Sequence, residues 1–557
     1  MRTIHKFIYI LCVIAITLYP GNYTAVEVFA ESMIYVSAGG NDSNPGTAAA
    51  PVKTLAKAYE KIGDSGNILV SGSVAYQDPV TPKSGTVTIM GNTGATLTLP
   101  SKISLKSGLS VDGVTLSGAS TIYANGKSLR IGENVTSNAR LTVYGGAESG
   151  TYKGDTDITL LGGLYQRVYG GGATAMTGNT NVLFGGNANM GDGNDDKASN
   201  ISPCSIYGGS LSGSVTGETN VTLAGNAVTK MIYGAGAAGG ATKTNIYIEG
   251  GKAMNVFGGT NGATIDGCST NVTITGGQVE AIFGGSESRP MTNSHTHVNL
   301  LGGDVSRRVY SGCYNGTTTK WGIIVQMSTT HAVSGTTTLT FGKNAKVNSK
   351  TGLHSENQTD MGVFGGSRLQ SKDSNEKSTV IYLDNCYSSK SGTMGSQDMA
   401  GLLSGFKSNV TYTIKAGEGG RVTVPDEDGK IQLIPDMGNV AKISSSYYGN
   451  EIVSASSATT VTFEKNFGMG AVTSEVTDNK LTVTVDVTAN NIFNNENNPQ
   501  IYAVVTDKES GEMIECQKRN ATTKTETFEF EVEGETNEYQ VKTMIWDDGL
   551  KPLSEAK

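Results

Sequence analysis

Apolar and polar residues alternate with a period of two in short segments that recur through the middle of the chain. Four successive segments carry the apolar pairs Val221/Leu223, Ile246/Ile248, Val272/Ile274 and Val298/Leu300. Between the members of each pair stand Thr222, Tyr247, Thr273 and Asn299. A period of two predicts a strand with one buried and one outward face.

Each segment belongs to a longer repeat. Glycines 225, 250, 276 and 302 follow the strands at steps of about 25 residues, and a second run then ends in an aromatic residue and usually two glycines. Two strands per step predict one coil of a parallel β-helix, with coils stacked at roughly 4.8 Å. A propeller blade, with about four strands in roughly 40 residues, fits less well.

The pattern changes towards both ends of the chain. At the N-terminus, a strand over Ile34–Ser37 and a helix over Val52–Ile62 predict a cap for the exposed end of the coils. Near the C-terminus, alternating runs such as Val461–Phe463 and Leu481–Val487 predict a small antiparallel sandwich. The predicted fold is thus all-β: a cap at 31–62, a parallel β-helix at 63–425 with regular coils at about 141–312, a linker at 426–458 and a sandwich at 459–557.

Residues 1–30 differ in composition from the fold that follows. Basic residues precede the apolar run Phe7–Leu18, and small residues near Ala30 suit a cleavage site, which predicts a secretory signal peptide. We find no second apolar run long enough to span a bilayer, so the protein is expected to be secreted, and to be a monomer. The net charge of -8 argues against a nucleic-acid partner. The five scattered cysteines outside the signal peptide predict buried free thiols.

Two stretches resemble known families. YVSAGGNDSNPGTAAAPVKTLAKA, from Tyr35, is similar to the opening of secreted bacterial right-handed β-helix proteins of the pectate-lyase-like superfamily. The resemblance implies the β-helix fold with this segment as its cap, and it is shared by lyases, hydrolases and non-enzymatic surface proteins. YQVKTMIWDDGLKPLSEA, from Tyr539, resembles the terminal β-sandwich module of secreted clostridial proteins, which implies an accessory domain.

The aromatic residues that end the second runs form one column. In a stacked coil, the members Tyr169, Tyr207, Tyr233 and Tyr310 would be about one strand spacing apart and could bind sugar rings if they face outward. If they face inward, they fill the core. The mostly polar residues three positions earlier, such as Gln166 and Lys230, favour the inward orientation.

Candidate metal ligands and catalytic residues are few. Asp192, Asn194 and Asp196 place three oxygen ligands at alternate positions, which would suit Ca²⁺, although a solvated polar loop explains them as well. His295 and His297 alternate on one strand, but His297 occupies a column otherwise filled by asparagine. Glu280 and Asp304 are candidates for carboxylates on neighbouring coils with Arg307 nearby, and acidic residues scattered on a surface are the alternative.

Two functions are therefore open. The first is a non-catalytic secreted or cell-surface protein, adhesin-like, that binds a polysaccharide or a cell-surface glycan. The second is a polysaccharide lyase or glycoside hydrolase of the pectate-lyase-like class. No motif of those enzymes matches residue by residue, so the sequence favours the first.

Overall fold

The computed structural model describes two long continuous stretches, residues 33–191 and 204–314. Beyond them it describes 316–318, 324–327, 333–342, 344–347, 362–368, 376–382, 410–416, 430–432, 442–444, 452–453, 460–464, 467–489, 500–521, 525–546 and 556–557. The predicted signal peptide and the calcium candidates Asp192, Asn194 and Asp196 lie outside these residues, as does most of the predicted linker.

One long sheet, called the first sheet below, runs the length of the β-helix with 19 strands. All neighbouring strands are parallel except Ile452–Val453, which pairs antiparallel with Thr460–Glu464. The strands are Met33–Ser37, Gly66–Ser71, Thr86–Gly91, Gly108–Asp112, Leu129–Ile131, Tyr152–Lys153, Thr156–Leu160, Met176–Thr177, Thr180–Phe184, Val215–Leu223, Ala241–Ile248, Ile265–Asp266, Ser269–Ile274, Met291–Leu300, Val333–Phe341, Glu376–Tyr382, Val410–Ala416, Ile452–Val453 and Thr460–Glu464.

A second sheet of 11 parallel strands supplies the other long side of each coil. Its strands are Lys102–Ser104, Ser120–Tyr123, Leu141–Tyr144, Tyr165–Tyr169, Ser205–Tyr207, Val228–Tyr233, Lys252–Phe257, Gln278–Phe283, Asp304–Tyr310, Lys346–Val347 and Gly362–Phe364. A small parallel sheet in the early coils contains Ser73–Ala75, Thr96–Thr98, Thr115–Ser117 and Thr136–Ser137. Two antiparallel hairpins pair Gly316–Thr318 with Ile324–Met327 and Lys430–Gln432 with Lys442–Ser444.

The main core lies between the first two sheets. The predicted apolar pairs of the first sheet are fully buried, and register places Val221, Ile246, Val272 and Val298 in successive coils. Residues such as Ile232 and Ile282 of the second sheet complete the same cluster. Since like residues superimpose from coil to coil, the parallel β-helix predicted from the repeat is confirmed.

Buried threonines bridge the two sheets inside each coil. The hydroxyl of Thr270 donates a hydrogen bond of 2.5 Å to the carbonyl of Gly284, and Thr244 bonds to Gly258 in the same way at 2.6 Å. A side chain at Gly258 has no room, because its Cβ would lie 2.0 Å from the carbonyl oxygen of Gly284. The column of glycines after the aromatic residues is therefore required by close backbone approach.

The N-terminal cap begins with a strand and ends in a short helix. The helix spans Leu55–Lys61 rather than the predicted Val52–Ile62, because Thr54 caps it by accepting a hydrogen bond from the backbone N–H of Lys57. The Asp42 carboxylate binds the backbone N–H groups of Lys53 and Thr54 and holds the loop before the helix. Leu55, Ala58 and Tyr59 are buried in the main core, so the helix covers its end.

The C-terminal domain consists of two three-stranded antiparallel sheets with one shared core. One sheet contains Phe467–Thr477, Lys480–Ala489 and Thr525–Glu531, and the other contains Met513–Asn520, Gln500–Asp507 and Tyr539–Trp546; a 3-10 turn, Thr536–Glu538, precedes the last strand. The predicted sandwich strand Val461–Phe463 belongs instead to the first sheet, where Thr460–Glu464 pairs parallel with Val410–Ala416.

Of the described cysteines, those in the β-helix follow the prediction, and Cys386 lies outside the described residues. Cys204, Cys268 and Cys313 are free and buried, and burial raises the pKa of the Cys268 and Cys313 thiols to about 12. Cys516 is free but exposed, because its strand lies at the edge of the sandwich with little covering it.

Candidate functional site

The aromatic residues of the second sheet form a continuous stack. Neighbouring ring centroids are 4.6 to 5.6 Å apart, with interplanar angles from 3° to 18°. The stacked residues are Tyr123, Tyr144, Tyr169, Tyr207, Tyr233, Phe257, Phe283, Tyr310 and Phe364. The stack extends the predicted column by two rings towards the N-terminus.

The stack lies on the face of the second sheet that points away from the main core. Ile232 and Ile282 belong to the main core, and the rings that follow them, Tyr233 and Phe283, therefore point to the opposite face. Residues of the returning loops, including Leu211 and Tyr314, pack over the rings. Position-by-position alternation missed this arrangement, because the strands do not alternate strictly: Val279 and Ile282, three positions apart, both face the main core.

This burial corrects the proposed sugar-binding role of the four tyrosines. Tyr169, Tyr233 and Tyr310 are each 1% exposed and Tyr207 is 8% exposed. Neighbouring rings cover both faces of each one, so no ring face remains for a sugar. Burial also raises the pKa of Tyr144 to about 12, which keeps its hydroxyl protonated at neutral pH.

A buried hydrogen-bond network joins two successive loops to this stack, the loop after Lys252–Phe257 and the loop after Gln278–Phe283. The hydroxyl of Tyr233 donates to the carboxylate of Glu287 at 2.7 Å, and the amide of Asn261 donates to both groups. Glu287 is 2% exposed, and its backbone N–H donates to the carbonyl of Thr260. Burial, followed by the charge of Glu287, raises the pKa of Tyr233 well above its ordinary value. Asn261 and Glu287 therefore anchor their two loops to Tyr233 of the stack.

The structure brings together two of the three catalytic candidates. Arg307 donates to the Glu280 carboxylate at 3.2 Å, with the two side chains 12% and 3% exposed. Asp304 lies in register with Gln278 of the preceding coil, at the beginning of its strand. A buried carboxylate held by a guanidinium serves as an ion pair between coils, and removing one partner of such a pair typically costs about 3–5 kcal/mol.

The histidine pair is explained by the register of the first sheet. His297 faces Asn271 in the preceding coil, as its position in the asparagine column predicts. Burial, together with His295, lowers the pKa of His297. In the described part of the chain, no group of three His, Cys, Asp or Glu side chains is placed to hold a metal ion.

The asparagine column on the outward side of the first sheet is hydrogen-bonded from coil to coil. The amide of Asn220 donates to Asn181 at 3.0 Å, Asn245 donates to Asn220 at 2.8 Å, and Asn271 donates to Asn245 at 3.0 Å. A second column beside it contains Thr222, Tyr247 and Thr273, which also face one another in register. We call these two columns, from Asn181 to Thr273, the amide face.

The amide face differs from the aromatic stack in its exposure and charge. Among the aromatic residues whose burial is described, Tyr247 alone is exposed, at 39%. Glu218 and Lys243, at the margin of the face, form an ion pair at 3.1 Å and neutralise each other. The face therefore offers amides, hydroxyls and one aromatic ring with little net charge. The sequence showed these residues as outward positions, but only the structure shows that Tyr247 is exposed while the rings of the second sheet are buried.

Comparison with known proteins found no matching family model, and no curated protein or solved structure with significant similarity to the chain. None of the helices in the described residues is long and apolar enough to cross a membrane.

Proposed function

We propose that the protein is a secreted, non-catalytic β-helix protein that binds a neutral polysaccharide or cell-surface glycan at the amide face. The observation that carries the proposal is the exposure of Tyr247 among stacked asparagine and threonine side chains. Aromatic rings bind the apolar faces of sugars, and amides and hydroxyls match sugar hydroxyls as donors and acceptors.

Two further features support this proposal. The stacked coils repeat the same groups at the strand spacing of roughly 4.8 Å, so a chain of similar sugars would meet similar partners along the face. The Glu218–Lys243 pair leaves little net charge, which favours a neutral glycan over a polyuronate. Membership of the pectate-lyase-like superfamily, the clostridial likeness of the sandwich and export by the N-terminal signal peptide are parts of the same proposal, supported by the residues quoted for each.

Binding to a panel of neutral and acidic polysaccharides tests the proposal. We expect the full chain to bind at least one neutral glycan, and Tyr247→Ala to weaken that binding at least tenfold. Tyr502→Ala is the matched control, because this half-buried tyrosine lies in the sandwich. Binding that depends on Tyr502 and not on Tyr247 would move the site to the sandwich and overturn the proposal.

The same panel tests catalysis. Unsaturated products are followed by absorbance and new reducing ends by a colorimetric assay. Turnover of any polysaccharide by the purified protein would contradict the non-catalytic role and favour the lyase or hydrolase alternative.

A further inference from the structure

One strand at the edge of the sandwich has mostly exposed side chains. Met513–Asn520 forms the edge of its sheet and pairs on one side with Gln500–Asp507. No other described strand pairs with it along its opposite side, while the Gln517 amide donates a hydrogen bond of 2.7 Å to the Glu529 carbonyl of the other sheet and the Arg519 guanidinium lies 5.3 Å from the Phe528 ring. All of its residues are exposed except Gln517, which is half-buried. Met513 and Ile514 are 60% and 41% exposed.

An open edge of this kind is a template for another strand, and natural proteins usually shorten, charge or cover it. This edge is eight residues long and carries charges of both signs. On the side that faces the other sheet, Glu515 and Arg519 are aligned with the buried residues Val505 and Ile501 of the neighbouring strand. The side chains of Glu515 and Arg519 therefore share one face of the sheet.

The charges of this strand are complementary to those of a second, antiparallel copy of the same strand. When two copies of a strand pair antiparallel around a two-fold axis perpendicular to the sheet, directly opposed residues lie on the same face. With the axis at Gln517, Glu515 of each copy lies opposite Arg519 of the other, which gives two opposite-charge pairs. An axis at Cys516 would instead place Arg519 opposite Met513 and leave those charges without opposite partners.

We propose that a second copy of this chain pairs with the first along Met513–Asn520, antiparallel and centred on Gln517. The two three-stranded sheets then form one six-stranded sheet, and the open edges of both copies are closed. This pairing replaces the monomer expected from the sequence, and it is independent of the glycan-binding proposal. Because the charge pairs lie at the surface, salt should weaken the dimer.

Sedimentation velocity of the full chain provides the first test. We expect the mass to double as the protein concentration rises. Glu515→Arg should abolish the doubling, because it places arginines opposite each other. Glu515→Arg combined with Arg519→Glu should restore it, because the opposed signs are exchanged. A monomer at all concentrations, or a double variant that stays monomeric while folded, would overturn the proposal.

Disulfide trapping tests the register. Directly opposed residues have Cβ atoms about 4.5–5.5 Å apart, whereas diagonal neighbours are about 7–8 Å apart, which is too far for a disulfide. Gln517→Cys in a Cys516→Ser background should therefore form a covalent dimer on mild oxidation. Cys516→Ser alone is the control for the other thiols and should not. Efficient cross-linking through Cys516 with none through position 517 would overturn the register and the charge argument.

Discussion

The aromatic stack and the asparagine column are built by the same rule and differ in what covers them. Both place one residue per coil in parallel register, so like side chains meet at the strand spacing. Loops bury the stack, where its area contributes to stability. The asparagine column lies on an outward face, with its amides bonded to each other. The register therefore decides which groups repeat, and the covering loops decide whether those groups are buried or exposed.

The largest expected effect on stability comes from removing a ring of the aromatic stack, and an exposed ring of the amide face provides the contrast. Phe257 is fully buried in the stack, and Tyr247 is exposed on the amide face of the same coil. Phe257→Ala should lower the free energy of unfolding by about 3–5 kcal/mol, because it leaves a cavity between neighbouring rings. Tyr247→Ala should change it by about 0.5 kcal/mol or less. Urea unfolding followed by circular dichroism measures both, and equal losses would mean that burial does not separate the two columns.

An intermediate effect is expected from the asparagine column. Asn245 is 5% exposed and bonds to Glu218, Asn220 and Asn271. Asn245→Ala should cost about 1–3 kcal/mol, because it leaves buried polar groups without partners. Asn271→Ala removes only the hydrogen bond to Asn245 and should lower the free energy of unfolding by less. In a double-mutant cycle the two losses should not add, and strict additivity would show that the amides do not act as a connected column.

The smallest expected effect on stability comes from His297, which occupies a position of the asparagine column. Burial and the neighbouring His295 lower the pKa of His297 in the folded protein. The unfolded chain therefore takes up this proton first as the pH falls below about 6.5. The stability linked to the neutral ring is complete above that pH and is lost as the pH falls through the lower, folded-state pKa.

Replacing this histidine tests the linkage. His297→Asn should remove the part of the stability loss at acid pH that comes from protonation of His297. The new amide can also form a hydrogen bond with Asn271, which should raise the free energy of unfolding by about 0.5–1.5 kcal/mol at neutral pH. Urea midpoints at about pH 7.5 and about pH 5 measure both effects. If the variant and the original protein lose the same stability between the two pH values, the assignment to His297 is contradicted.

The sequence predicted the features that follow from register. The period of two identified the buried pairs of the first sheet, and the repeat placed His297 in the asparagine column. Counting residues was sufficient here, because a parallel β-helix superimposes equivalent positions of successive coils. The cap helix followed from helical spacing, although its start needed the cap geometry of Thr54.

Features that depend on the path of the chain outside the strands could not be predicted in this way. Val279 and Ile282, three positions apart, both face the main core, so strict alternation breaks between them and Phe283 lies on the opposite side. The loops above the stack differ too much in sequence from coil to coil to show that they cover it. The hydrogen bond from Thr270 to Gly284 joins residues 14 positions apart across the coil. A threonine two residues before each apolar pair was a visible signal, but only the close backbone approach explains it.

The second-sheet strands Tyr165–Tyr169 and Asp304–Tyr310 each carry one extra residue relative to the preceding strand, and they show how the β-helix accommodates additional sequence. In two places, residues far apart in the sequence pair with nearby positions of a single strand in the preceding coil. Val305 faces Val347 while Tyr310 faces Phe364, and Leu164 faces Asn189 while Tyr169 faces Tyr207. In both places the pairing divides where the preceding strand carries its extra residue, so this position accommodates additional sequence. New polypeptide can be inserted there, and the coils on either side keep their alignment.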